Sequence, residues 1–147
     1  MRALLISLLL VGCSSSGSSG GGSLEAPAFT DLAGSSWSVH ESASGSNSCG
    51  VAAGTSDDWT LYVVSQSGNS ITFYDERSGA SSAVTGTVSG HTISYSGERY
   101  PVLGCSSMTG SYSVTLDGAG QSFSGTTTIR CLDNGCTVPA SVTGQRL

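Results

Sequence analysis

After a short apolar N-terminus, hydrophobic side chains recur at every second position, and helical spacing is nearly absent. Ser111-Tyr112-Ser113-Val114-Thr115-Leu116 is the clearest run: Tyr112, Val114 and Leu116 share one side, and hydroxyl residues take the other. Successive side chains of a strand point to opposite faces, so this alternation predicts strands with one buried face. His91 to Tyr95 puts Ile93 and Tyr95 together, and Ser122 to Arg130 puts Phe123 and Ile129 on one face with Gly125 and Thr127 between them. Trp59 to Ser65 and Ser70 to Glu76 are richer in aromatic and β-branched residues and are expected to bury parts of both faces. Ser36 to Glu41, Val84 to Ser89 and Thr137 to Gln145 bring the count to about eight strands, enough to close a small barrel.

Turn residues separate these runs. Ser67-Gly68-Asn69, Ser89-Gly90, Asp117-Gly118-Ala119-Gly120 and Asp133-Asn134-Gly135 fall between neighbouring strands. Glycine and asparagine supply the positive φ that tight hairpins need. Every link is short enough to join antiparallel neighbours. The predicted fold class is therefore all-β: a single antiparallel meander closing on itself and leaving no exposed edge.

Leu32-Ala33-Gly34-Ser35-Ser36-Trp37 opens this region. Val64-Ser65-Gln66-Ser67-Gly68-Asn69-Ser70-Ile71 and Thr85-Gly86-Thr87-Val88-Ser89-Gly90-His91-Thr92-Ile93 follow. The order resembles the small lipocalin-like β-barrel lipoproteins of bacteria, in which a Gly-x-Trp strand begins a meander of Gln-x-Gly-Asn and Gly-x-Val-x-Gly hairpins. The C-terminal Val142-Thr143-Gly144-Gln145-Arg146-Leu147 is similar to the closing strand of such barrels. The resemblance covers residues 32–147 and implies a lipocalin-like barrel whose closing arginine pairs with the first-strand tryptophan. Most proteins of this kind have no assigned activity, so it bears on fold more than on function.

The N-terminus carries a different signal. Arg2 is followed by an apolar run from Ala3 to Val11, broken only by Ser7, and then by Gly12 and Cys13. Leu10-Val11-Gly12-Cys13 resembles the lipobox of bacterial lipoproteins. That resemblance implies cleavage after Gly12, leaving residues 1–12 as a signal peptide, and lipid on the sulfur and new amino group of Cys13. The competing reading is an ordinary secretory signal with Cys13 a bystander. An apolar run of about nine residues falls far short of the roughly 20 needed to span a bilayer. Two or more acyl chains would make a lasting tether. Ser14, where some lipoproteins carry Asp, implies the outer rather than the inner membrane. Residues 13–31 then read as the lipidated cysteine and a flexible linker: Ser14 to Ser23 is entirely Ser and Gly, with nothing apolar to bury.

Charge narrows the choice of partner. Charged residues make up 10% of the chain and lysine is absent. Losing Arg2 with the signal leaves Arg77, Arg99, Arg130 and Arg146 against ten carboxylates. That balance argues against nucleic acid and against electrostatic attachment to anionic lipid. With Cys13 lipidated, Cys49, Cys105, Cys131 and Cys136 remain, an even number suited to two disulfides in an oxidising compartment. Three pairings are open. We favour Cys131–Cys136, which closes a short loop, with Cys49–Cys105 joining distant segments. Zinc is the alternative use of the cysteines, but Cys49 and Cys105 lack a neighbouring cysteine at ligand spacing.

The residues that could carry chemistry mostly have plainer uses. Asp57-Asp58 could offer oxygen ligands to a hard cation, but the Asp-x-Asx-x-Asx-Gly pattern is missing, so a strand start or loop is expected. Asp133-Asn134-Gly135 reads as a turn. His40 and His91 fall near strand ends, with no nucleophile beside them. The nucleophile elbow, phosphate-cradling loop and dinucleotide fingerprint are missing too. Trp37, Trp59, Phe73, Tyr95, Tyr100, Tyr112 and Phe123 are read as core. Tyr62 and Tyr74, opposite in phase to Leu61 and Phe73, are read as an exposed contact patch. No catalytic residue, metal ligand or cofactor is assigned. The expectation is a membrane-anchored envelope lipoprotein whose barrel serves as a non-enzymatic binding or structural module, meeting the membrane through Cys13 and an envelope protein through its surface. The alternative is a small apolar ligand inside the barrel, which calls for a connected cavity of roughly 300 Å³ or more.

Overall fold

A computed structural model describes residues 31–101 and 104–147. The leader, Cys13 and nearly all of the Ser/Gly linker lie outside the described residues. The alternating pattern becomes eight strands: β1 (Ser36–Ala43), β2 (Ser56–Ser67), β3 (Ser70–Asp75), β4 (Val84–Ser89), β5 (Thr92–Arg99), β6 (Met108–Leu116), β7 (Ser122–Cys131) and β8 (Thr137–Arg146). One short 3₁₀ turn, Ala80–Ser82, lies between β3 and β4. Each strand pairs antiparallel with the next, and β8 returns to β1, so the sheet closes. The all-β meander barrel is what the alternation predicts.

Interior positions follow the pleat. Trp37, Val39, Glu41 and Ala43 of β1 are buried, as are Met108, Val114 and Leu116 of β6, Phe123 and Ile129 of β7, and Val138, Ala140 and Val142 of β8. The intervening positions are mostly serine and threonine facing solvent. β3 is partly covered on both faces, as expected. β2 is covered outward only in part, at Thr60: its Tyr62 and Val64 are exposed, and a bulge between Val63 and Ser65 shifts its register against β3.

Antiparallel connectivity puts the links after β2, β4 and β6 at one end. Two are two-residue hairpins: Ser67 pairs with Ser70 and Ser89 with Thr92, and Gly68 and Gly90 both take φ 54°. That conformation is open to glycine at little cost. Leu32 is buried among the core residues at this end. It is fixed by its N–H to Gln66 Oε1 (3.0 Å) and by its carbonyl, which accepts from Ser35 Oγ (2.6 Å). Arg146 is the cross-strand partner of Trp37, with its guanidinium carbon 6.0 Å from the ring centroid, the pairing expected of the closing strand.

The opposite end carries residues 44–55, 76–83, 100–107 and 132–136, and both disulfides lie there. The bonds are Cys49–Cys136 and Cys105–Cys131. This corrects the favoured pairing of Cys131 with Cys136 and Cys49 with Cys105. The two cysteines of the β7–β8 hairpin do face each other, with Cys131 N donating to Cys136 O (3.0 Å). Cys131, however, is in register with Met108 of β6, beside the link that holds Cys105. Cys136 leads into β8, whose other neighbour is β1, where the Cys49 link begins. Each thiol therefore meets the loop of the strand on its own side.

Candidate functional site: a buried ionic layer in the barrel

Two apolar clusters fill the barrel. One gathers Leu32, Trp37, Val39, Val114 and Phe123 near the hairpin end, and the other gathers Ala43, Met108, Ile129 and Val138 near the disulfide end. Between them the pleat turns polar residues inward. On β1, Glu41 lies between Val39 and Ala43; on β6, Tyr112 lies between Val114 and Met108. β5 brings Arg99 inward, in register with Met108. β2 brings Asp57 opposite Glu41.

These side chains meet. Arg99 Nη1 donates to both oxygens of Glu41 (3.1 and 3.0 Å) and to Tyr112 Oη (2.9 Å). The Arg99 and Glu41 side chains are 5% and 3% exposed, so this ion pair is out of water. Arg99 Nη2 stands 3.8 Å from Asp57 Oδ2, and Arg77 Nη1 donates to that same oxygen at 2.6 Å. Arg77 comes from the β3–β4 link. The Asp75 carboxylate sets its backbone, accepting from Arg77 N (2.9 Å), Ser78 N (2.8 Å) and Ser78 Oγ (3.0 Å). The Arg77 guanidinium also lies 5.5 Å from the ring centroids of both Trp59 and Tyr100. Such contacts attract a cation to the ring face.

Burial dominates the acid–base behaviour. It raises the Glu41 carboxyl above the usual carboxylate value even though Arg99 pulls the other way. It pushes the Tyr112 phenol up to about 12. Burial works against the Arg99 charge as well, but Tyr112 and Glu41 outweigh it and hold the guanidinium protonated. Buried ions need partners because stripping them of water costs several kcal/mol each, and here each guanidinium has a carboxylate.

Two cavities adjoin this layer. One of about 90 Å³ runs along the apolar interior and is bounded on its polar side by Trp59, Arg77 and Arg99. A second of about 190 Å³ lies toward the disulfide end among Glu41, Asp57, Arg99, Ile129 and Val138. Arg99 lines both. Neither alone reaches the volume expected of a typical ligand pocket.

The residues singled out by sequence divide as follows. Asp57 and Asp58 fall at the start of β2, and the pleat sends them apart: Asp57 joins the ionic layer and Asp58 faces solvent, 2.7 Å from His40 Nδ1. Among the described residues, no three His, Cys, Asp or Glu side chains cluster as metal ligands would. Asp133 binds the Ser106 N–H (2.6 Å) and hydroxyl (2.7 Å), and Gly135 takes φ 75°, so the segment is a turn. His91 lies in the β4–β5 hairpin, apart from His40. Tyr62 and Tyr74 are cross-strand partners stacked 5.1 Å apart; Tyr62 is exposed as expected, whereas Tyr74 is half-buried. Tyr100 is 42% exposed, so it is no core residue; it covers Arg77 instead.

Sequence reasoning missed Glu41, Arg77 and Arg99. Two were within reach. Trp37-x-Val39-x-Glu41 and Ile93-x-Tyr95-x-Gly97-x-Arg99 each carry a charge onto the buried phase, a signal that a polar layer crosses the core. Arg77 sits in a link, where no periodicity speaks. Compared with protein-family models, with curated proteins and with solved structures, the chain matches none of them.

Proposed function

We propose that this chain is a lipid-anchored protein of the bacterial cell envelope. Its lipocalin-like barrel, on this reading, is a non-enzymatic binding or structural module held off the membrane by a Ser/Gly leash. One observation carries the proposal: the two disulfides use all four cysteines of the barrel, so of the chain's five cysteines Cys13 is the one these bridges do not use. Disulfides persist in oxidising compartments, and a lone cysteine closing an apolar leader suits lipid attachment. Among the described residues no helix is long and apolar enough to cross a membrane. The stacked Tyr62–Tyr74 pair and exposed Val64, on a wall otherwise rich in serine and threonine, supply a surface for an envelope protein.

The test is Cys13→Ser in a bacterial host fed labelled palmitate. The variant is expected to lose the label and leave the membrane fraction. Retention of both label and membrane attachment would contradict the anchor.

A second reading, a small ligand in the barrel, is favoured by the two cavities that share Arg99. Their volumes limit it to something smaller than a typical lipocalin-type ligand.

A further inference from the structure

Both bridges of the stapled end share one hairpin. Cys131 closes β7, and Cys136 stands immediately before β8. The β7–β8 register runs to Arg130 opposite Thr137, and one further step sets Cys131 opposite Cys136, where Cys131 N donates to Cys136 O (3.0 Å). Side chains alternate along a strand. Cys131 shares the phase of buried Ile129 and Cys136 that of buried Val138, so both side chains belong to the inner face. Their partners Cys49 and Cys105 pack against one apolar cluster, that of Ala43, Met108, Ile129 and Val138. Directly opposed residues hold their Cβ atoms about 4.5–5.5 Å apart, and a disulfide asks for about 3.5–4.5 Å. A Cys131–Cys136 bridge is therefore a small approach away from the bonded arrangement.

Disulfides exchange by attack of a thiolate on a bridged sulfur. Opening either bridge here puts a hairpin thiolate beside the bridge that remains, and a neighbour held in place reacts far faster than one arriving from solution. Cys49 and Cys136 are both half-buried, whereas Cys131 is 2% exposed, so Cys49–Cys136 is the more approachable bridge.

We propose that the stapled end is a redox modification site for a dithiol, at which the two hairpin cysteines pair with each other. One thiolate of the dithiol attacks Cys49 Sγ; the Cys49–Cys136 bond breaks and its electron pair leaves on Cys136 Sγ. The second thiol resolves the mixed disulfide, the reductant departs as a cyclic disulfide, and Cys49 takes up a proton. Cys136 Sγ then attacks Cys131 Sγ. The Cys131–Cys136 bond forms, the Cys105–Cys131 bond breaks, and Cys105 takes the electron pair and a proton. In sum the dithiol loses two electrons and two protons, and the chain gains both as thiols at Cys49 and Cys105. Opening Cys105–Cys131 first gives the same product, because Cys131 then attacks Cys136. The links stay docked throughout. Ser44 N donates to Pro139 O (2.8 Å) and Ser48 N to Thr137 O (3.2 Å) on one side, and Ser106 N and Oγ donate to Asp133 on the other. Reduction thus places the free thiols on the two links without undoing the barrel. The exchange needs neither lipid at Cys13 nor a ligand in the interior.

The test maps the bridges after partial reduction. The full chain is treated with graded dithiothreitol under folding conditions, trapped with excess N-ethylmaleimide, acidified, digested with pepsin and mapped by mass spectrometry. Molecules that retain one bridge are expected to carry it as Cys131–Cys136, with labels at Cys49 and Cys105 alone among the barrel cysteines. Cys49→Ala mimics an opened bridge without reductant; it is expected to hold Cys131–Cys136 and to take the label at Cys105. Single-bridge molecules that keep either original pairing overturn the proposal. Loss of both bridges together at every dose does so as well, and so does a Cys131–Cys136 bridge that forms only once tryptophan fluorescence reports unfolding.

Discussion

Glu41 is a carboxylate placed where a core side chain would be expected, and its titration has a definite sign. Its folded value is raised from the usual 4.5, burial being the largest cause. Between 4.5 and that raised value the folded chain keeps a proton that the unfolded chain has released, so stability falls as pH rises through this window. Glu41→Gln is expected to abolish that decline, since the amide still accepts from Arg99 and never ionises; urea unfolding as a function of pH measures the difference. Glu41→Ala removes the acceptor and strands Arg99, at an expected loss of about 3–5 kcal/mol. Glycines give a second test. A Cβ at Gly125 would lie 2.6 Å from Val114 Cα, a backbone atom that cannot give way. Gly125→Ala is therefore expected to cost about 1–3 kcal/mol in denaturant unfolding. Gly118→Ala, with nothing within 4 Å and no positive φ, is expected to cost little. These sites were only half legible in the sequence. Gly125 stood on the inward phase of β7, but the closeness of Val114 depends on cross-strand register, which a single strand does not carry.

Strand existence was written in the alternation, whereas strand ends were not. β5 runs to Arg99, past the predicted Tyr95, because Gly97 interrupts the apolar signal while the hydrogen-bond ladder with β6 continues to Met108. Arg99 went unseen for that reason. Cysteine pairing was illegible for a related one: nearness along the chain favoured Cys131–Cys136, but barrel closure decides which loops touch. In the chain-entropy picture stabilisation grows with the loop closed. Cys49–Cys136 spans 87 residues and Cys105–Cys131 spans 26. Replacing both partners by alanine is expected to cost about 2–5 kcal/mol in either case, and about 1 kcal/mol more for the longer bridge. Thermal unfolding of the two double variants checks the order.

At the scale of the whole molecule, the ends of the barrel differ in kind. The hairpin end is closed by tight turns, Leu32 and Trp37. The opposite end is stapled on three of its four links, and the fourth carries Arg77 to the mouth of the smaller cavity. The smaller cavity reaches from the ionic layer toward the hairpin end, past Trp37 and Phe123, and the larger one lies toward the stapled end. The fold was legible from alternation and turns because an antiparallel meander needs little else; the interior chemistry was not, because it exists only when β1, β2, β5 and β6 converge. The central claim, an acylated cysteine holding a disulfide-stapled barrel outside the cytosol, is tested most directly by intact and peptide mass spectrometry of the protein taken from bacterial membranes. The account predicts a chain beginning at acylated Cys13, with peptides cross-linked as Cys49–Cys136 and Cys105–Cys131. A chain still beginning at Met1, with an unmodified Cys13 thiol and reduced barrel cysteines, would contradict it.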